Sequence, residues 1–278
     1  MNVLRFLLRA VFVATWILLG LLSVTLILPV ASLRIRSCMT KHWSRVLMIL
    51  CGVGIRVRGE ARRTGPVMWV ANHVSWIDIF VLNAVRPTAF IAKSDIRRWP
   101  IIGWLVAGAG TVFIERGHRH AVRAVGHQMK ARFGQGEVVG LFPEGTTSPG
   151  YGVASFHSSL FDAAIRAGVD IQPVALRFFH RGRRSDYVAF VGEQNLIQNL
   201  WYLLGTTGVV VEAVFLPEML NSYCQEQGRV RVAEQARTAI GEMVSDDCVG
   251  VVPHAGPAPS AFDHDVGVRP RTGSDPKT

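Results

Sequence analysis

The chain has 278 residues, 49% of them hydrophobic, and carries 30 Lys and Arg against 20 Asp and Glu, a formal charge of +10. That length holds one sizeable α/β domain with appendages, and the charge asks for an anionic partner. No RNP-like strand, zinc-finger spacing or nucleic-acid helix is present, so the partner is read as a membrane surface and not nucleic acid.

The first element is apolar. Residues 10–31, "AVFVATWILLGLLSVTLILPVA", hold no charge; as a helix they extend ~33 Å, the thickness of a bilayer's hydrocarbon core. A signal peptide is the alternative, but the apolar run is too long and no A-x-A site follows. Pro29 suits a helix exit. Arg34, Arg36, Lys41 and Arg45 outweigh Arg5 and Arg9, which puts the remainder on the cytoplasmic side of a bacterial-type inner membrane. Residues 42–54, "HWSRVLMILCGVG", form a second, interfacial segment that could complete a helical hairpin with the first. Residues 1–54 thus read as a membrane anchor that either spans the bilayer or lies in one leaflet.

From residue 55 the pattern becomes short apolar runs separated by helical stretches. Candidate strands are "IRVRGE", "VMWVAN", "TAFIAK", "GTVFIE", "VVGLFPE", "IQPVALRF", "DYVAFVG" and "VVVEAVFL". Helical periodicity marks "HRHAVRAVGHQMKARF", "SSLFDAAIRAG" ending at Gly168, and "RVRVAEQARTAIGEMV". The alternation predicts an α/β domain over 55–244, a mixed sheet flanked by helices. The tail, 245–278, has the composition of a disordered segment. "RRWPIIGWLVAG" (97–108) reads as a buried helix or hairpin, a bilayer-dipping segment or the lining of an acyl tunnel. Cys38, Cys51, Cys224 and Cys248 have no paired spacing and read as reduced thiols.

The chemistry gathers where strands end. "NHVSWID" (72–78) follows the apolar run "VMWV", at the carboxyl end where α/β sheets place ligands. Ser75 and Asp78 fit S-x-x-D, a capping box, which leaves Asn72 and His73 unexplained. With His73 in the turn and Asp78 in the first helical turn, the carboxylate folds back on the imidazole and leaves its other nitrogen to take a proton. No G-x-S-x-G elbow supplies a nucleophile, so His73 would deprotonate a substrate alcohol that attacks an activated acyl group. "GTVFIERG" (110–117) delivers Arg116 either to an exposed edge or to an anion. "VVGLFPEGTTS" (138–148) ends a strand in an ordinary turn or in a polar constellation around Glu144. "IQPVALRF" sets Pro173 inside a strand, where proline is unusual.

Together these motifs resemble the glycerolipid acyltransferase family, the 1-acylglycerol-3-phosphate acyltransferases and their relatives. That family shows N-H-x-S-x-x-D, then a G-x-I-F-I-D-R-like motif, F-P-E-G-T-R-S and a V-P-V-like strand; the likeness covers roughly 57–178. It implies His73 as general base and Asp78 as its orienting partner. It also implies that Asn72, Ser75, Lys93, Arg116, Glu144, Gly145, Thr146 and Thr147 hold substrate, with Pro173 shaping the site. The implied substrates are membrane lipids and an acyl thioester, acyl-CoA or acyl-acyl carrier protein, with no other cofactor and no metal. The implied reaction is acylation of 1-acyl-sn-glycerol-3-phosphate to phosphatidate. Two departures support an alternative. Thr147 stands where the third motif has arginine, and "SFHSSLF" (155–161) stands where phosphatidate-forming members show F-K-x-G. Both resemble the lyso-ornithine lipid acyltransferase branch, whose acceptor has no phosphate. "RFFHRGRR" (177–184) adds positive charge, read as a solvated or membrane-facing loop or as a clamp. Two other classes compete: an inactive membrane-binding scaffold, which would not need His73 and Asp78, and a serine hydrolase, which would need an elbow around Ser75.

Overall fold

The computed structural model describes residues 2–98, 102–108, 110–114 and 119–246. Arg116, most of the segment around Trp99 and the tail from 247 on lie outside them.

The mixed α/β sheet is built on β2 (Val67–Ala71), whose five residues are all buried. A strand with no polar face must be covered on both sides, as parallel strands are. Its neighbours are β5 (Val138–Leu141) and β6 (Ile171–His180), both parallel to it. Beyond β5 lie β3 (Thr88–Lys93) and β4 (Val112–Ile114), also parallel. Beyond β6 the direction reverses: β8 (Val209–Phe215) runs antiparallel, β1 (Val53–Arg58) lies parallel to β8, and the short β7 (Arg183–Arg184) hairpins back on β6. The order is β1-β8-β6-β2-β5-β3-β4.

Alternation along β2 divides the core. Trp69 and Ala71 face one cluster and Met68 and Val70 the other. The Trp69 face is covered by α1 (Val3–Leu26), α2 (Leu33–Cys51), α3 (Asp78–Val85) and α7 (Leu196–Gly205) through Val13, Met48, Leu82 and Leu204. The Met68 face is covered by α5 (Arg119–Gly134), α6 (Phe161–Arg166) and α8 (Asn221–Ser245) through Met129, Phe161 and Ala236. Gly168, φ +73, follows α6 as expected, and Gly228 kinks α8.

The expected strand "DYVAFVG" is not one. Residues 186–192 are irregular yet keep Val188 and Ala189 buried. Their carbonyls are satisfied by a side chain, Asn199 Nδ2 donating to Val188 O and Ala189 O, which a ladder would otherwise do. Helix α7 begins there with a capping box, Asn195 with Gln198, a signal absent from the sequence reading.

The first apolar segment is a helix seven residues earlier than expected. Its outer face, Leu4, Leu8, Val11, Leu18, Leu22 and Leu26, is exposed. Its inner face is fastened along the whole length. Asn2 N donates to Gly205 O at 3.3 Å, and Phe6 meets the Trp201 ring at 4.4 Å. Trp16 and Trp43 exchange indole-to-carbonyl bonds of 3.1 and 3.3 Å, and Val24 closes on Gly108. By length and composition α1 is a candidate membrane span. Segment 102–108 is helical, α4 (Ile102–Gly108), with Trp104 exposed.

Candidate active site

β2 ends at Ala71 and the chain turns into α3 through 72–77, all at the carboxyl end of the parallel strands. Asn72, fully buried, ties this turn to β6. Its Nδ2 donates to Leu176 O at 3.0 Å and its Oδ1 accepts from Leu176 N at 2.7 Å. The next residue is thereby aimed out of the sheet. His73 Nδ1 donates to Asp78 Oδ2 at 2.8 Å, and the same oxygen accepts from Val74 N at 2.7 Å and Ser75 N at 2.9 Å. A carboxylate oxygen can only accept, so the imidazole carries its proton on Nδ1 and keeps a lone pair on Nε2. Asp78 is fully buried, while His73 keeps about a fifth of its side-chain surface open.

The capping box expected from S-x-x-D is half made. Asp78 reaches back to Ser75 N, but Ser75 Oγ is buried and, among the described residues, has no partner, as is true of Asp78 Oδ1. The local purpose of Asp78 is the imidazole as much as the helix.

The turn "FPEG" frames the histidine from β5. Phe142 stacks on the imidazole at 4.2 Å and 13°, and Phe90 of β3 stacks on Phe142 at 5.3 Å. Phe90 in turn lies over Gly140, where a Cβ would come within 2.4 Å of its ring. Glu144 is buried and its two oxygens are spoken for: Oε1 accepts from His73 N at 2.8 Å and Oε2 from Ala154 N at 2.9 Å. Burial pushes its carboxyl above the ordinary range, while the two N–H groups pull the other way. Gly145, φ +74, closes the turn in a conformation a side chain opposes. Ser148 N donates to His73 O at 2.8 Å, and Thr147 Oγ1 donates to Phe190 O. Thr146 is exposed.

Of the expected site residues, Asn72, His73, Ser75, Asp78, Glu144, Gly145, Thr146 and Thr147 come together here. Lys93 ends β3 on the same side of the sheet. Pro173 sits apart, beside Val70 and lining a cavity with Leu216 and Tyr223 on the α8 side. Its carbonyl accepts from Leu216 N past the last β6–β8 pair, so its missing N–H falls where that ladder has opened. In 177–184 the outer arginines are internal: Arg177 is buried against Glu212 at 3.0 Å and Arg184 holds Gly150 O and Val244 O. Phe142, Phe90 and the 186–191 segment escaped the sequence reading. Phe142 lay inside a quoted motif, but nothing in the letters says which ring meets the imidazole. Among the described residues no group of three or more His, Cys, Asp or Glu could hold a metal.

A buried carboxylate behind an outward-facing imidazole is an arrangement that can take a proton from a hydroxyl. The chain belongs to the acyltransferase family, whose model, described as Acyltransferase, matches residues 54–177. It is 38% identical over 207 residues to the lyso-ornithine lipid O-acyltransferase of Pseudomonas aeruginosa, covering 74% of this chain and 78% of that one. It is 32% identical over 197 residues to the 1-acyl-sn-glycerol-3-phosphate acyltransferase of Neisseria gonorrhoeae, covering 70% and 76%. The fold is that of the 1-acyl-sn-glycerophosphate acyltransferase PlsC of Thermotoga maritima, with a TM-score of 0.66 at 20% identity over 87% of this chain and 94% of that one.

Proposed function

We propose that this acyltransferase moves a fatty acyl group from an acyl thioester, acyl-CoA or acyl-acyl carrier protein, to the free hydroxyl of lyso-ornithine lipid. His73 Nε2 takes the hydroxyl proton as the oxygen attacks the thioester carbonyl. Asp78 stabilises the imidazolium, and when the C–S bond breaks the departing thiolate receives that proton. Asn72 and Glu144 position the histidine, Phe142 bars it from tilting, and Gly145 and Thr146 line the approach of substrate, while Lys93 and Arg116 keep the substrate-holding role that the motifs imply for them.

The acceptor reading is carried by Thr147. It holds the place where the family's third motif has arginine, and its hydroxyl is already engaged by Phe190 O. An acceptor phosphate would therefore lack a charge-assisted contact worth about 1.5–3 kcal/mol. The relatives from Pseudomonas and Rhizobium meliloti, at 38% and 36% identity, are named for lyso-ornithine lipid. Lysophosphatidate, the acceptor that the motif set as a whole suggested first, is the second reading, supported by the Neisseria relative.

A hydrolase using Ser75 is disfavoured, since that hydroxyl is buried and, among the described residues, has no hydrogen-bond partner. The fatty chain is assigned to an apolar cavity of about 250 Å³ between α1, α2, α3 and α4, lined by Trp16, Trp43, Phe80 and Val106. Trp76, three residues from His73, reaches it through its contact with Phe80. Because α1 is fastened to the domain at both ends, it is read as lying in one leaflet of a bacterial inner membrane, with the catalytic domain on the cytoplasmic side. The test is transfer of labelled acyl thioester by purified protein in vesicles offering both acceptors, with His73→Ala as control. Transfer to lysophosphatidate alone would reject the acceptor, and full activity of His73→Ala would reject the mechanism.

A further inference from the structure

A cavity of about 550 Å³ opens along the edge of the sheet, between α2, β1, residues 59–63 and the end of α3. Five cations line it, Lys41, Arg45, Arg62, Arg63 and Arg86, and no carboxylate does. Three of them are used by the fold. Arg62 pairs with Asp170 at 2.8 Å and Glu218 at 2.5 Å. Arg86 donates to the carbonyls of Arg62, Gly65 and Gly136, and Arg45 Nε donates to Ala84 O. Among the described residues Lys41 and Arg63 have no ion-pair partner. The Lys41 ammonium is held below its ordinary value by burial first and then by Arg45 and Arg63. Like charges gathered in a partly desolvated hollow repel one another until an anion enters.

The other wall is apolar. Met48 and Val53 are buried at its base, while Ile49 is 70% and Val57 49% exposed at its rim. Ile49 lies about four turns along α2 from Ile35, near the face where that side chain is also exposed.

We propose that this hollow binds the phosphate headgroup of an anionic phospholipid of the surrounding bilayer, with an acyl chain laid on Ile49 and Val57. A free phosphate would use the cations alone and leave that apolar rim in water. β1 is the edge strand, with β8 and β6 between it and β2, whose end carries His73, so the lipid bound there is a resident and not a reactant. The inference rests on the seating of α1 and α2 in one leaflet.

The test is co-sedimentation of the full chain with phosphatidylcholine vesicles, with and without phosphatidylglycerol. Wild type binds both and gains affinity from phosphatidylglycerol. Lys41→Gln with Arg63→Gln keeps the phosphatidylcholine affinity and loses about five-fold of the gain per charge removed, about 25-fold in all. Arg123→Gln with Lys130→Gln, an equal charge loss on the exposed face of α5, keeps the gain. Equal losses in both pairs would reduce the effect to general charge, and no loss in the first pair would empty the site; either overturns the proposal. So does inorganic phosphate raising the melting temperature of lipid-free protein through Lys41 and Arg63 as far as the lipid does, since the occupant is then a free anion. Wild type failing to bind phosphatidylcholine would sink the leaflet seating, and this site with it, while leaving the acyl-transfer reading intact.

Discussion

Replacing Asp78 by asparagine separates two duties that one carboxylate performs. Three donors meet at Oδ2, from His73 Nδ1, Val74 N and Ser75 N, whereas Oδ1 meets none. An asparagine therefore keeps its oxygen at the Oδ2 position, because the opposite orientation sets an NH₂ against three N–H groups. The imidazole tautomer survives and only the negative charge behind it is lost. Exchanging a charge-assisted hydrogen bond for a neutral one removes about 1.5–3 kcal/mol at most, or about 10- to 150-fold in kcat. Asp78→Ala also frees the tautomer and forfeits the whole general-base contribution, about 10²–10⁴-fold. Steady-state acyl transfer in vesicles should thus rank wild type above Asp78→Asn and Asp78→Ala at or below it, with KM for the acceptor nearly constant. Asparagine as inactive as His73→Ala would show that the oxygen does not hold its place, and unchanged kcat would show that the charge does nothing.

Three further outcomes follow from the same geometry. Phe142→Ala removes a ring stacked between His73 and Phe90; a loss of about 0.5–1.5 kcal/mol of packing at the base lowers kcat about 2- to 10-fold, with KM little changed in the same assay. Glu144 has a folded-state value raised chiefly by burial, so its stabilising contribution is complete below the ordinary carboxylate range, about pH 4, and is lost as pH rises through the raised value. Denaturant unfolding should then show wild type losing ground to Glu144→Gln as pH rises from about 4; the opposite trend would mean that the two N–H donors outweigh burial. Thr147→Arg should shift the preference between the two acceptors about 10-fold or more towards lysophosphatidate, read by competition in one vesicle preparation.

The carboxyl-end motifs were legible because each is local. The six residues from His73 to Asp78 span one strand-to-helix turn, and a buried strand announces itself as "VMWV" without context. What escaped depends on partners distant in sequence. Residues 186–192 have strand composition, but their hydrogen bonds go to Asn199, Val74 and Thr147 rather than to a ladder. Arg177 and Arg184 look like loop charges until Glu212 and the Val244 carbonyl arrive from later in the chain. Pro173 reads as a site residue because of the motif it belongs to, whereas the sheet sets it on the opposite face from the Trp69 core. Lys41 and Arg63, twenty-two positions apart, carry no motif at all.

The exchange of indole bonds between Trp16 and Trp43, with Val13 in the core cluster beneath, makes the first helix a wall of the catalytic domain and not a tether to it. Cutting the chain after residue 32 to obtain a water-soluble enzyme would strip the cover from Met48 and from the cavity assigned to the fatty chain. Such a fragment would aggregate. Solubility is better sought on the outward row from Leu4 to Leu26, where substitution changes how the molecule sits on lipid without opening its interior.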